Sequence, residues 1–242
     1  MLAESKESSV LGVPIHLCND YAGWVRSRLE QKVGTHIITL NAEMAMLAER
    51  DPEFGEIVRS AELVIPDGSG VVLYLRLRNQ QQHRCPGIEL AGALVESLGC
   101  LGDSATVVFY GGAPGVAERA AEFWQQRCPG LKVVFRNGFL STSEEEEFLN
   151  LLRDRQPSLI LVGLGVPRQE LWIRRHRALC PEATWIGVGG SFDIWSGSKS
   201  RAPVWLREIH LEWLYRLYQE PWRWRRMLVL PQFAWRALIA GK

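Results

Sequence analysis

Short apolar runs recur along the first 200 residues, and helical patterns separate them. The runs lie at 35–40, 61–65, 105–110, 131–135, 158–163 and 183–188 and are rich in β-branched residues without polar alternation. Strands that are apolar on both faces are typical of parallel sheets covered by helices on both sides. Between the runs, helices are predicted at 69–78, 115–127 and 142–155, the last with Thr142 or Ser143 as its N-cap. The pattern therefore predicts an α/β fold with a mostly parallel sheet.

The alternation of strands and helices stops near residues 201–203. The remaining segment is helical in pattern, with breaks expected at Pro221 and Pro231. It carries eight Lys or Arg against three Glu, whereas residues 1–200 carry 20 basic and 24 acidic residues. It also holds five of the ten tryptophans. We therefore predict an α/β core at 1–200 and a basic, Trp-rich helical appendage at 201–242.

Composition narrows the compartment and the partners. A net charge of +1 gives no global field that would favour nucleic acid. The five cysteines are widely spaced and form no Cys-x-x-Cys pair, which indicates neither a disulfide framework nor a zinc site. The chain shows no signal-peptide pattern at its start and no uncharged apolar stretch of about 18 residues. We expect a cytoplasmic protein whose membrane contact, if any, is peripheral.

Polar residues follow two of the predicted strands. Asp67 comes after the run 61–65, and Thr39 and Asn41 stand where the run 35–40 gives way to a helix. Asp67 and Asn41 both suit helix N-caps, and that role alone would account for them. If the strands are parallel, however, their carboxyl ends share one edge, which is where open α/β sheets bind ligands.

Glycine-rich turns follow three further strands. Gly111, Gly112 and Gly115 precede a helix start, where free N–H groups favour a phosphate, although a plain turn would need the same glycines. Gly165 leads into a helix whose first turn includes Pro167 and Gln169, and Gln169 could point into a crevice or into solvent. Asp193 follows the last turn and could cap a helix or bind a ligand. The convergence of these turns at one rim favours a site.

The motifs that are missing narrow the chemistry. The sequence has no Asp-x-Asp, no His-x-x-x-His, no P-loop and no Gly-x-Ser-x-Gly elbow. We therefore expect neither a catalytic metal nor another cofactor. A bound diphosphate would be neutralised by helix N-termini and by basic side chains, for which Arg84 and the arginines of the appendage are candidates.

Seven motifs in this order resemble the WecG/TagA/CpsF family of glycosyltransferases, which act in cell-surface polysaccharide and wall teichoic acid assembly. They are TLNAEM, IPDGSGVV, RCPGIEL, YGGAPGVAE, VGLGVPRQELW, GVGGSFDIWSG with RAP, and LEWLYRLYQEPWRWRR, and the likeness runs from about residue 10 to 230. The resemblance implies a Rossmann-like core and a metal-independent, inverting transferase. It implies transfer of N-acetylmannosamine, or a related sugar, from a UDP-sugar donor to a polyprenyl-diphosphate-linked N-acetylglucosamine.

The resemblance also implies roles for single residues. Asp67 would be the general base, Thr39, Asn41 and Gln169 would line the sugar site, and Arg84 would lie near the acceptor or the phosphates. The turn with Gly111, Gly112 and Gly115 would hold the nucleotide. Members of the family differ in their donor sugar, so the donor stays open.

The appendage has three interpretations. Arg216, Arg223 and Arg226 could close over the site and stabilise the departing diphosphate, or the Trp-rich segment could lie in a bilayer interface, and both could hold together. An ordinary docked C-terminal helix would explain the same residues. For the whole chain, a nucleotide-sugar-binding module without catalysis and an NAD-dependent oxidoreductase remain alternatives, the latter weakened by an incomplete dinucleotide fingerprint.

Overall fold

The computed structural model of the protein describes residues 5–100 and 105–239. The strands are β1 (Lys6–Val10), β2 (Val13–Leu17), β3 (Thr35–Leu40), β4 (Leu63–Pro66), β5 (Thr106–Gly111), β6 (Lys132–Arg136), β7 (Leu159–Gly163) and β8 (Thr184–Gly187). The core helices are α1 (Tyr21–Glu30), α2 (Ala42–Arg50), α3 (Pro52–Arg59), α4 (Ser69–Arg76), α5 (Gly87–Cys100), α6 (Val116–Arg127), α7 (Thr142–Arg155), α8 (Arg168–His176) and α9 (Ser191–Trp195). The last helices are α10 (Val204–Glu208), α11 (Glu212–Gln219), α12 (Trp224–Met227) and α13 (Val229–Ile239).

Six parallel strands form the central sheet in the order β4-β3-β8-β7-β5-β6, with helices on both faces. All six predicted strands are present with ends within two residues of the expected positions, and the α/β class is confirmed. The strands β3, β4 and β8 are buried along their whole length, as expected for strands without alternation of apolar and polar residues. Because the strands are parallel, the turns after β4, β3, β8 and β7 leave the sheet at one edge.

Several local expectations were wrong. The N-cap of α7 is Ser141, in a capping box with Glu144, rather than Thr142 or Ser143, because the hydroxyl must lie one residue before the first helical position. Pro167 is likewise the residue before α8, not its first residue. The hairpin of β1 and β2 was not predicted.

The helical character of the segment after residue 201 is confirmed, with one correction. Pro221 separates α11 from the next turn as expected, but Pro231 lies inside the first turn of α13. A proline is tolerated there because the first N–H groups of a helix have no intrahelical partner. The division of the chain into two parts near residue 200 stays a prediction.

The last helix anchors the appendage to the core. Phe233 and Ala237 of α13 are buried in the hydrophobic cluster formed with α2 and α4, where the Phe233 ring lies 6.0 Å from that of Tyr74. The pair Arg236–Glu49, at 2.8 Å, adds an ionic contact on the outside. Within the described ranges, no helix combines the length and hydropathy needed to cross a bilayer.

Candidate active site

A cavity of about 430 Å³ lies above the carboxyl ends of β4, β3, β8 and β7, and the appendage forms its opposite wall. Ten of the thirteen residues that the sequence singled out line it. They are Thr39, Asn41, Asp67, Arg84, Gly165, Gln169, Asp193, Arg216, Arg223 and Arg226. The cavity therefore brings together side chains that are up to 187 positions apart in the sequence, as open α/β sheets do at this edge.

Asp67 does not cap the helix that follows it in the sequence. The residue before α4 is Gly68, and no side chain caps that helix. Instead, Oδ1 of Asp67 accepts a hydrogen bond of 3.1 Å from the N–H of Gly87, at the start of α5. Asp67 is half-buried and lines the cavity. Asp67 is therefore held by a distant backbone group while it remains available to a ligand.

The electrostatic surroundings of Asp67 favour a proton acceptor. Burial raises the pKa of this carboxyl above its ordinary value, and the charge of Glu212 raises it further. Arg216, the Gly87 N–H and Arg84 act in the opposite direction without cancelling the effect of burial. A carboxylate with a raised pKa is a stronger base, which suits general base catalysis.

Thr39 and Asn41 lie beside Asp67 at the end of β3. Asn41 caps α2, because its Oδ1 accepts from the Met44 N–H at 3.0 Å, as its sequence position suggested. Thr39 is 7% exposed, and its hydroxyl donates to the carbonyl of Gly187 at 3.3 Å. Both side chains line the cavity, and their contact with a sugar stays a prediction.

Gln169 lies in the wall of the cavity but is only 2% exposed. Its Oε1 accepts from the N–H groups of Gly165 and Gly189, at 3.1 and 3.0 Å, and its Nε2 donates to Glu170 at 3.0 Å. Glu170 in turn contacts Nε2 of the buried His36 at 2.8 Å. The carboxamide therefore joins the turns after β7 and β8, and its contact with substrate stays a prediction.

The turn after β5 lies outside the cavity lining. Gly111, Gly112 and Gly115 are absent from the wall, although this turn touches the neighbouring one through a 3.1 Å bond from the Gly112 N–H to the Gly163 carbonyl. Gly111 has φ of +133°, and a Cβ there would meet the Gly163 carbonyl oxygen at 2.4 Å. The close approach of two turns is therefore sufficient to require glycine at 111. Nucleotide binding by this turn stays a prediction.

The three appendage arginines that the sequence singled out reach the cavity from separate elements, and each has a carboxylate partner. Arg216 of α11 contacts Glu212 at 3.2 Å, and Arg223, in the turn before α12, contacts Glu220 at 2.8 Å. Arg226 of α12 contacts Glu43 of the core at 3.1 Å. The arginines thus lie together because the chain turns at Pro221, and not because one long helix presents them.

Among the described residues, six Lys or Arg and five Asp or Glu line the cavity. Asp193 contacts Lys199 at 3.5 Å, and Lys199 also contacts Glu220 at 2.9 Å. Sequence reasoning missed Glu43, Lys199, Glu212 and Glu220. The spacing of four between Glu212 and Arg216 was the available signal, because such residues face each other on a helix.

No group of three or more His, Cys, Asp or Glu side chains in 5–100 and 105–239 is arranged to hold a metal ion. The cavity that Asp67 lines is also lined by arginines, whose guanidinium groups have several N–H donors each. Guanidinium groups bind phosphate oxygens in a bidentate manner. Such a site can bind an anion such as a diphosphate and accept a proton beside it.

A family model described as "Glycosyl transferase WecG/TagA/CpsF family" matches residues 8–242. Relatives named N-acetylglucosaminyldiphosphoundecaprenol N-acetyl-beta-D-mannosaminyltransferase are similar over 85% of this chain. Those of Bacillus subtilis (strain 168) and Bacillus spizizenii (strain ATCC 23059 / NRRL B-14472 / W23) are each 35% identical, over 80% and 79% of their own lengths. That of Staphylococcus aureus (strain MW2) is 33% identical over 80% of its length.

Proposed function

Since the chain belongs to the WecG/TagA/CpsF family of glycosyl transferases, we propose that it moves N-acetylmannosamine from a UDP-sugar to a polyprenyl-diphosphate-linked N-acetylglucosamine. The names of the relatives support the acceptor and the transferred sugar. The observation that carries the proposal for this chain is Asp67, a half-buried residue with a raised pKa that lies in one cavity with five arginines from the rim and the appendage.

The proposed reaction is a single displacement with inversion. A hydroxyl oxygen of the acceptor sugar attacks the anomeric carbon of the donor, and Asp67 accepts the proton of that hydroxyl. The new bond joins the acceptor oxygen to the anomeric carbon. The bond from that carbon to the diphosphate oxygen breaks, and its electron pair leaves with the diphosphate as UDP. A base in hydrogen-bonding reach typically contributes about 10² to 10⁴ in rate.

In this proposal the leaving diphosphate is stabilised by arginines and not by a metal ion. Arg84 and Arg216 both lower the pKa of Asp67, which supports a position for them near the reacting atoms, and Arg223 and Arg226 also line the cavity. Each guanidinium has five N–H donors, so pairing with one carboxylate leaves donors for a phosphate oxygen. Preorganised donors of this kind act most strongly where water is excluded.

A product assay tests this function. We expect transfer from UDP-N-acetylmannosamine to a short-chain prenyl-diphospho-N-acetylglucosamine, detected as one added N-acetylhexosamine by mass spectrometry. Donors that carry other N-acetylhexosamines form the comparison panel. Release of UDP without a glycosylated product, or equal transfer from every donor, would contradict the proposed acceptor or donor, respectively. Full activity after chelation of divalent cations is expected for the metal-independent mechanism.

The appendage carries an apolar surface that we assign to the cytoplasmic face of the membrane, where a lipid-linked acceptor lies. Ten of its large apolar side chains are more than half exposed, among them Trp205, Tyr218, Trp222, Trp224, Trp235 and Leu238. Arg225 lies among them, with its guanidinium 5.5 Å from the ring centre of Trp224. Tryptophan beside arginine is typical of segments that lie in the interface of an anionic bilayer.

Replacing Trp222 and Trp224 together with Ser is expected to weaken binding to vesicles of anionic phospholipid by about tenfold or more, because two rings lose their apolar contact. Co-sedimentation measures the effect. Phe139→Ser is the matched control, since this ring is 70% exposed on the core, outside the appendage. An equal loss in both proteins would contradict a membrane contact centred on the appendage. Turnover of a water-soluble acceptor by the same variant separates the two roles of the appendage. Normal turnover with weak vesicle binding indicates a membrane contact alone, whereas loss of both indicates that the segment also closes the site.

A further inference from the structure

Glu212 is a buried carboxylate that gathers arginines from three parts of the chain. It is 8% exposed at the first position of α11 and lines the cavity. Its Oε2 accepts from Nη2 of Arg84 at 2.8 Å, and its Oε1 accepts from Nη2 of Arg216 at 3.2 Å. Nε of Arg201 lies 3.8 Å from the same Oε1. One side chain thus fixes the positions of guanidinium groups from the rim, the junction and the appendage.

This arrangement is more than a means of docking the appendage. Buried ion pairs give little net stability, because removing two charges from water costs about as much as their attraction returns. Docking is already provided by the buried Phe233 and by the outer pair Arg236–Glu49. A buried acid inside the cavity therefore calls for an explanation in terms of the site.

Arg84 and Arg216 act on both Asp67 and Glu212, but the pKa values of the two carboxyls are shifted in opposite directions. Burial alone would raise the pKa of Glu212, yet Arg216, Arg84 and Arg201 outweigh it and hold the pKa below its ordinary value. The pKa of Asp67 is raised. Two carboxylates whose pKa values diverge divide their roles, so that one exchanges a proton and the other stays ionised.

We propose that Glu212 is a positioning residue, which holds Arg84 and Arg216 at the diphosphate side of the cavity and so leaves Asp67 as the proton acceptor. The inference rests on the proposed function and adds a residue to its machinery. Without Glu212, both guanidinium groups would turn toward Asp67, the remaining carboxylate beside them. The base would then be weaker, and the leaving group would lose its preorganised donors.

The charged and titratable groups around the two carboxylates come from several elements. Those facing Asp67 are Arg84, Cys85, Arg216 and Glu212, and those facing Glu212 are Arg84, Arg201, Arg216 and Asp67. Arg201 is also paired with Glu89, which in turn contacts Arg207 at 3.5 Å. His210 lines the same part of the cavity. Replacing Glu212 alone leaves the charges of all these other groups unchanged.

The test is the pH dependence of kcat/KM for Glu212→Gln, which keeps the shape of the side chain and removes its charge. We expect kcat to fall by about tenfold to a hundredfold, because two donors lose their fixed positions. We also expect the acidic limb of kcat/KM to move to lower pH. Loss of a negative neighbour and release of two arginines both lower the pKa of Asp67, and this limb reports the free enzyme.

Two further variants separate this role from a structural one. Glu49→Gln breaks the outer pair between the core and the appendage and is expected to leave the limb unmoved. Glu212→Asp keeps the charge but shortens its reach, so kcat should fall several-fold while the limb stays close to that of the wild type. It also provides a readout if Glu212→Gln does not fold.

A limb that is unmoved or displaced to higher pH in Glu212→Gln would overturn the inference, whatever the loss in kcat. If only Glu212→Asp folds, a limb displaced to lower pH together with unchanged kcat would overturn it. If the wild-type protein has no acidic limb, or transfers no sugar, the proposed function fails first. The two failures are therefore distinguishable.

Discussion

Replacement of Asp67 by Asn is expected to lower kcat by about 10² to 10⁴, the contribution typical of a general base. Binding of UDP should stay within about threefold of the wild-type value, since the base contacts the acceptor hydroxyl and not the nucleotide. The fold should survive, because the Asn carbonyl oxygen can still accept the hydrogen bond from the Gly87 N–H. Steady-state kinetics and calorimetric titration with UDP measure the two effects.

Asp193→Asn is the matched comparison. Asp193, in α9 after β8, is another carboxylate of the cavity, and it contacts Lys199 at 3.5 Å. Its replacement should cost less in kcat than that of Asp67, because Lys199 keeps its contact with Glu220. Near-normal turnover in Asp67→Asn would show that Asp67 is not the general base. A larger loss of kcat in Asp193→Asn than in Asp67→Asn would assign that role to Asp193.

Arg216→Gln is expected to lower kcat by about 10² to 10³, the loss that follows removal of one preorganised donor to a developing charge. It also carries a pH signature. Arg216 lowers the pKa of Asp67, so its removal raises that pKa further. The base then becomes protonated at higher pH, and the acidic limb of kcat/KM moves upward. This direction is opposite to that expected for Glu212→Gln.

Arg236→Gln is the control for this arginine. It removes the same charge from the appendage at a position outside the cavity, where Arg236 contacts Glu49. Its pH profile should match that of the wild type. A similar shift in both variants would mean that the limb responds to the net charge of the appendage and not to a contact near Asp67.

The core strands were predictable because burial leaves a direct trace in sequence. A strand covered on both faces, such as β4, is apolar along its whole length. Asp67 directly follows β4 and Thr39 lies near the carboxyl end of β3, so the parallel arrangement alone sufficed to bring them to one rim. The turns after β7 and β8 follow from the same reasoning.

Other features depend on contacts that sequence spacing does not show. The sequence near Gly111 does not show whether its turn binds a ligand or packs against Gly163 outside the cavity lining. Both arrangements require glycine at this position. Glu212 was missed, since its partner Arg84 lies 128 positions away. The N-cap of α7 was predicted one or two residues too late, because the three adjacent residues 141–143 all carry a hydroxyl group that could cap the helix.

The carboxamide of Gln169 stiffens the side of the cavity that the core forms. Because one oxygen joins Gly165 to Gly189, the turns of two strands are coupled and resist separate movement. The facing wall is anchored by the buried Phe233, but it also makes ionic contacts with the core such as Arg226–Glu43, which dissolved salt weakens where they are open to water. We therefore expect a rise in ionic strength to loosen the wall formed by the appendage, through which ligands enter and leave. The turns after β7 and β8, which line the opposite side, should keep their positions.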